Sequence, residues 1–282
     1  MRTPPLTPKD EEPHGNRVDE IVEAISLLKP FIEKIEEGDP QYVAIKRLVK
    51  KLGPRALSLV IGNALVSYRL SGTGERYWTE FSEYFLENPD ATLEDFLQVS
   101  KYNKALKRQK LERIRKVRPL LNEIEREPSK FRDLDYLRER LKAVLKAKGT
   151  EKTLVFALKM AYYAFKALGE EVSGDVPLPM DLRISAITYA SGLLNAHPDE
   201  IMNKYRDAAL KRWEEVARRA GVKTLHLDAL LWLPSNGLRE ALKKGLIVSK
   251  KLFANNLKEL GIPEDIAEKV SEKLVVRDLA PS

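Results

Sequence analysis

Between Val18 and Val275 the apolar residues return every three or four positions, and no run of alternating apolar and polar residues interrupts them. Such a chain carries one apolar stripe on each of a series of helices and has nothing from which to build a sheet. Val18, Ile21, Val22, Ile25, Leu28, Ile32 and Ile35 hold the period through a first segment that Pro30 kinks or divides. Asp39-Pro40 then supplies an N-cap and a first helical residue, and Gly53-Pro54 closes that helix. Further helices are predicted over residues 57–68, 77–86, 93–99, 106–124, 131–145, 153–168, 181–194, 198–220 and within 238–275. The expected fold class is all-α, and the absence of a fixed repeat excludes a solenoid.

Length and composition narrow the chemistry. At roughly 150 residues per domain, 282 residues suggest about two domains. With no Cys, the chain has no thiol nucleophile, disulfide framework or Cys-rich metal module, and its three His lie too far apart for a helical ligand pair. No metal and no cofactor is expected. The longest stretch free of Asp, Glu, Lys and Arg is residues 184–198, which is 15 residues, too short to span a bilayer. Together with the lack of a signal-peptide pattern, this predicts a soluble intracellular protein with no membrane partner.

The net charge of +7 is local. Residues 101–118 hold nine Lys or Arg and one acid, Glu112, so that segment accounts for the whole excess. Leu106, Leu111, Ile114 and Val117 recur inside it at helical spacing, predicting an amphipathic helix with a cationic outer face. The charge run alone fits a solvated helix as well as a surface that tracks phosphates.

The most informative stretch is residues 136–168, YLRERLKAVLKAKGTEKTLVFALKMAYYAFKAL. A helix ending in Lys146 and Lys148 meets Gly149, which tolerates positive φ, and a second helix begins near Lys152-Thr153. In so short a hairpin the backbone N–H groups of residues 149–151 are expected to suit a phosphate. Lys152 stands at a helix N-terminus, where a cation opposes the macrodipole. It is either an exposed lysine held in solvent or an amine kept for nucleophilic attack, and the residues alone do not choose. Lys152, Phe156 and Lys159 share one helix face, with the two lysines about 10 Å apart along the axis. Lys159 sits among apolar neighbours and needs a carboxylate partner or a snorkelling geometry. Asp181, which ends the extended VPLPMD segment, reads as an N-cap.

The hairpin ending in Gly149-Thr150-Glu151-Lys152, followed by a Pro-rich segment ending in Asp181, resembles the helix-hairpin-helix, Gly/Pro-Asp superfamily of DNA glycosylases. More closely, KTLVFALKMAYYA, PLPMDLR and LDALLWLPSNG are similar to the archaeal 8-oxoguanine DNA glycosylase family (AGOG), over about residues 39–237. The hairpin has one glycine where two are common in the wider superfamily, and the 29-residue separation of Lys152 and Asp181 suits the archaeal branch.

The resemblance implies two helical subdomains with the active-site cleft between them. Expected divisions are a mobile tail over residues 1–16, an N-terminal subdomain over 17–125, a hairpin-bearing catalytic subdomain over 126–237, and C-terminal helices over 238–282 that pack back on the N-terminal one. It also implies a bifunctional glycosylase and abasic-site lyase. Lys152 would be the nucleophile and Schiff-base lysine, and Asp181 its essential carboxylate. Phe156 and Trp232 would sandwich the flipped base, with Gln41, Trp78, Lys159 and Asp181 lining it, while Lys148, Gly149, Thr150 and Glu151 would touch the DNA backbone. Without the resemblance, Trp78 and Trp232 read as core aromatics and Gln41 as surface. The implied partner is double-stranded DNA carrying 8-oxoguanine, single-stranded DNA being a further substrate, with the enzyme a monomer in the cytoplasm at the nucleoid. The competing readings are a non-catalytic hairpin module that binds DNA, a glycosylase for another lesion, and a helical scaffold.

Overall fold

The computed structural model describes residues 15–279. The expected tail, residues 1–16, lies outside the described residues except for Gly15 and Asn16, which open the first helix. In chain order the helices are α1 (Gly15–Leu28), α2 (Ile32–Glu37), α3 (Pro40–Leu52), α4 (Arg55–Leu65), α5 (Gly74–Glu87), α6 (Leu93–Val99), α7 (Lys107–Arg126), α8 (Leu134–Leu145) and α9 (Lys152–Ala167). They continue as α10 (Leu182–Ala190), α11 (Pro198–Asn203), α12 (Arg206–Ala220), α13 (Thr224–Trp232), α14 (Leu238–Leu242), α15 (Leu246–Glu259) and α16 (Glu264–Leu274). Among the described residues there is no strand, only an isolated bridge between Asp133 and Ser173. None of these helices is long and apolar enough to cross a membrane.

The chain forms two compact units, Glu37–Pro177 and Met1–Glu36 with Leu178–Ser282. The division expected at 125/126 falls inside the first of these. There α7 packs on α8, and Arg140 of α8 forms an ion pair with Glu123 of α7. In Glu37–Pro177 the central helix is α4, buried all round from Ala56 to Leu65 and packed against α9 and α7. Gly62 permits close approach of α6 and α7, since a Cβ there would stand 2.4 Å from Leu93 Cδ1 and 3.0 Å from Leu121 Cδ1. α9 answers with Leu154, Val155 and the buried run from Ala157 to Phe165. Each large apolar side chain so buried contributes about 1.5–3 kcal/mol.

The other unit is organised on α1, whose Ile21, Ala24, Ile25 and Leu28 are fully buried and which lies against α12 and α16. Pro30 does divide the first segment, through a 3-10 turn at Lys29–Phe31. The predicted helix over 198–220 is two helices, α11 and α12, with Lys204 and Tyr205 between them. The buried Trp213 of α12 donates through Nε1 to Thr188 Oγ1 at 2.8 Å, which ties α12 to α10.

The basic stretch 101–118 differs from its expected form. α7 begins only at Lys107, after Leu106 in the left-handed region at φ 55°. Lys101 and Lys104 therefore precede the helix, and Leu106 is 48% exposed instead of belonging to the apolar stripe. Lys110 takes its place there, because it lies four residues before Ile114 and seven before Val117. It is fully buried, donating to the Tyr68 carbonyl at 2.6 Å and to Asn103 Oδ1.

Glu123 joins three elements, accepting from Arg140 of α8 and from Lys130 of the turn before it. The hydrogen bonds from Arg140 and Lys130 outweigh desolvation and hold its carboxyl at about 2, below the ordinary 4.5. A carboxyl depressed in the folded state adds stability that is present above the unfolded value and lost as pH falls through the folded one. The difference in melting temperature between wild type and Glu123→Gln is therefore expected to be constant above about pH 5 and to close on acidification toward about pH 2. A pH-independent difference in thermal melts would contradict this.

Candidate active site

In Glu37–Pro177 the site grows from the first turn of α3. Asp39 adopts extended φ/ψ and its Oδ1 accepts the Gln41 N–H at 2.8 Å, an N-cap of the ordinary kind. The cap fixes Gln41, which is buried at 6% exposure and not a surface residue. Its amide lies against Gly74, where a Cβ would come within 3.1 Å of Nε2. Gly74 opens α5, and Trp78 follows one turn later. Trp78 is fully buried and meets Phe156 of α9 edge-on, with centroids 6.0 Å apart at 73°. Its Nε1–H is buried without an acceptor among the described residues, a donor left over for something else. Phe156 is half-buried, and Lys159, one turn on, is 1% exposed. The fold thus brings Gln41, Trp78, Phe156 and Lys159 into one neighbourhood.

The Asp39 carboxylate lies close enough for the Lys159 charge to act on it. Its Oδ2 accepts the Tyr163 hydroxyl at 2.8 Å, and the Lys159 ammonium stands 4.7 Å from the Tyr163 ring centroid. Burial pushes the Asp39 carboxyl above the ordinary range, against the pull of the Gln41 N–H, the Tyr163 hydroxyl and the Lys159 charge. Glu75 of α5 reinforces the rise. Sequence reasoning found the cap but not the Tyr163 hydroxyl bond that the same residue accepts. The two ends of the Asp39–Tyr163 bond lie 124 positions apart.

The hairpin differs in two respects. α8 is capped by Lys146 in the left-handed region at φ 54°, three residues before Gly149, and Gly149 itself is buried at φ 95°. That positive φ favours glycine at position 149, where a Cβ would also lie 2.6 Å from Lys142 Cδ. Second, the hairpin N–H groups are not all open. The Glu151 carboxylate turns back and accepts from Lys148 N at 2.6 Å and Gly149 N at 2.7 Å. Burial pushes the Glu151 carboxyl up, but the N–H donors of Lys148, Glu151 and Gly149 together draw it below its ordinary value. An internal anion therefore occupies part of the place expected for a phosphate, because a carboxylate at the N-cap position can reach back to the turn and also faces the positive end of α9. Thr150 is exposed beside it. Lys152, the first residue of α9, is exposed, and its amine makes no hydrogen bond or ion pair with the described residues.

The remaining candidates belong to the other unit. Asp181 caps α10, its Oδ1 accepting from Arg183 N at 2.9 Å and Ile184 N at 3.0 Å. Its Oδ2 accepts from Trp232 Nε1 at 2.8 Å. Cap and indole together hold the carboxylate in one rotamer. Trp232 is half-buried, and the Arg183 guanidinium covers one face of it, 3.7 Å from the ring centroid. Its orientation is thus fixed from the edge by Asp181 and from one side by Arg183, a residue that sequence reasoning passed over.

Truncating Asp39 strips α3 of a cap worth ~1 kcal/mol and leaves the buried Tyr163 hydroxyl without this acceptor, a loss of about 1–3 kcal/mol. Asp39→Ala is expected to lose roughly the sum of the two in chemical denaturation, and adding Tyr163→Phe to restore most of the second part. Additive losses in the double variant would show that the two side chains are not coupled.

The family model described as N-glycosylase/DNA lyase, AGOG, matches residues 22–269. A Pyrobaculum aerophilum protein named N-glycosylase/DNA lyase is 33% identical over 241 residues, covering 83% of this chain and 85% of its own length. Proteins of the same name from Methanopyrus kandleri and Thermococcus kodakarensis are 38% and 33% identical, covering 70% and 81% of this chain and 81% and 88% of their own. The crystal structure of an 8-oxoguanine DNA glycosylase from Pyrobaculum aerophilum complexed with 8-oxoguanosine superposes with a TM-score of 0.71 at 26% identity, over 95% of this chain and all of that one. With the family match spanning most of the sequence and relatives this similar over most of their lengths, the chain belongs to the AGOG family of N-glycosylase/DNA lyases.

Proposed function

We propose that this enzyme excises 8-oxoguanine from double-stranded DNA and cleaves the strand at the resulting abasic site, with Lys152 as nucleophile. The carrying observation is the Lys152 amine, exposed and unengaged at the head of a helix whose next two turns present Phe156 and Lys159. A base-modifying enzyme extrudes its target nucleotide from the stack and holds it against aromatic faces. The Lys152 amine attacks C1′ of the deoxyribose, and the N-glycosidic bond breaks with its electron pair leaving on the base. Loss of the amine proton and opening of the sugar ring give a Schiff base at C1′. Removal of a C2′ proton then expels the 3′ phosphate by β-elimination.

Asp181 supplies a fixed carboxylate to stabilise positive charge on the sugar, and Trp232 and Phe156 are the stacking faces for the base. The buried Trp78 Nε1–H and the Gln41 amide are the polar groups for its edge, since oxidised and ordinary guanine differ by hydrogen-bonding groups more than by shape. At the hairpin, Thr150 and Lys148 remain candidates for the DNA backbone, with the Lys148 and Gly149 amides shared with Glu151. The relatives' names support the lyase and the solved relative's 8-oxoguanosine supports the base. Such an enzyme works in the cytoplasm, where the chromosomal DNA lies.

The test is borohydride trapping on a duplex with one 8-oxoguanine, comparing wild type with Lys152→Ala and Asp181→Asn. A covalent adduct is expected in wild type, absent in Lys152→Ala and strongly reduced in Asp181→Asn. Base release without an adduct would move the chemistry to activated water, and adducts only with other lesions would reassign the substrate. Trp232→Phe keeps an aromatic face but removes the donor to Asp181 Oδ2. It is expected to lower single-turnover excision about tenfold or more while leaving duplex affinity within a few-fold, the pattern of lost positioning.

A further inference from the structure

The charges of α7 are not alike in their surroundings. Arg108 pairs with Glu112 and Arg118 with Glu94, and Lys116 caps α8 at the Leu145 carbonyl. Lys110 and Arg113, one turn apart on the inner side, have only neutral acceptors. Lys110 donates to the Tyr68 carbonyl and to Asn103 Oδ1. Arg113 donates through Nη1 to the Leu65 carbonyl and to Thr153 Oγ1, each at 3.1 Å. Both cations lie over the Tyr68 ring, at 4.6 and 5.5 Å from its centroid, and neither forms an ion pair among the described residues. The Lys110 charge is poorly solvated in that position, a costly arrangement without an anion. Burial accordingly pushes the Lys110 ammonium down to about 8.

Arg113 is half-buried, and among the described residues its Nε and Nη2 have neither a protein partner nor a buried position. That open edge is the side of a guanidinium that takes two phosphate oxygens at once. Its other nitrogen is fastened to Thr153, the residue next to Lys152, so the open edge is anchored at the first turn of α9. The field there also favours an anion.

We propose that Arg113, oriented by Thr153 and Tyr68 and backed by the Lys110 charge, binds a backbone phosphate flanking the nucleotide whose sugar Lys152 attacks. The inference rests on the assignment of Lys152 above. A phosphate held there fixes the sugar relative to the amine and supplies the anion that the cation pair lacks. Arg113 is then a binding and positioning residue, distinct from the hairpin.

The experiment places a neutral methylphosphonate at the 5′ or the 3′ flank of the 8-oxoguanine nucleotide, or at distant phosphates, and measures duplex affinity and single-turnover excision for wild type, Arg113→Gln, Arg113→Lys and Thr153→Val. Neutralising one flanking phosphate should weaken wild-type binding about tenfold and cost Arg113→Gln nothing further. Arg113→Lys should recover part of the loss. Thr153→Val, which keeps the charge, should slow excision more than it weakens binding. The slope of log affinity against log salt should fall by about one in Arg113→Gln. Thermal melts verify that each variant folds. Losses that add between Arg113→Gln and every methylphosphonate, or an unchanged salt slope, would overturn the phosphate site while leaving the glycosylase reading intact. A wild-type enzyme without activity on the lesion would overturn that reading first.

Discussion

The Asp39 carboxylate is the constraint on which the Glu37–Pro177 unit turns. One oxygen starts α3 and the other reaches Tyr163 of α9, while Lys159 supplies the opposing charge. A buried hydrogen bond to a carboxylate adds little net stability, since desolvation offsets it, but removing one partner is costly. Its effect is to fix the register of α3 against α9. Gln41 is carried by the first of these helices and Phe156 and Lys159 by the second. The positions of three candidate base contacts thereby become consequences of one acidic side chain.

Around that node the helices divide their labour by composition. α4 has no polar face to offer and becomes the internal post. α9 is almost as apolar but begins with Glu151, Lys152 and Thr153, so its buried body anchors a polar, partly exposed head. A reactive amine at the end of a rigid, packed helix keeps its backbone position while the side chain stays free to move. Asp181 is set in the opposite way, with both oxygens engaged and no freedom.

Much of this was legible in the sequence because it depends on local spacing. The 3.6-residue period located the helices, and Asp39-Pro40 and Gly53 marked the ends of α3. Family motifs singled out Lys152, Asp181 and Trp232. What stayed hidden depends on distant pairing. Lys110 looked like one more surface charge until Tyr68 and Asn103 were brought to it. Glu151 was expected to face DNA, yet it bends back on its own hairpin, because the nearest unsatisfied donors are two and three residues away. Arg183 gave no signal, since stacking on an indole 49 positions further along leaves no periodic trace. Helical pattern reports which side of a helix is inward, and it is silent on which partner waits there.

The inward turn of Glu151 makes the hairpin a seat that is already taken. Any outside anion that comes to the amides of Lys148 and Gly149 meets a tethered competitor, so the grip there is a difference between two anions and not the full strength of one. Free phosphate in solution gains little from such an exchange. A polymer that arrives with many neighbouring charges can drive it, and the returning carboxylate then helps to let the polymer go. Whatever anion those amides take up is thereby held loosely and released quickly, a property set by a single side chain.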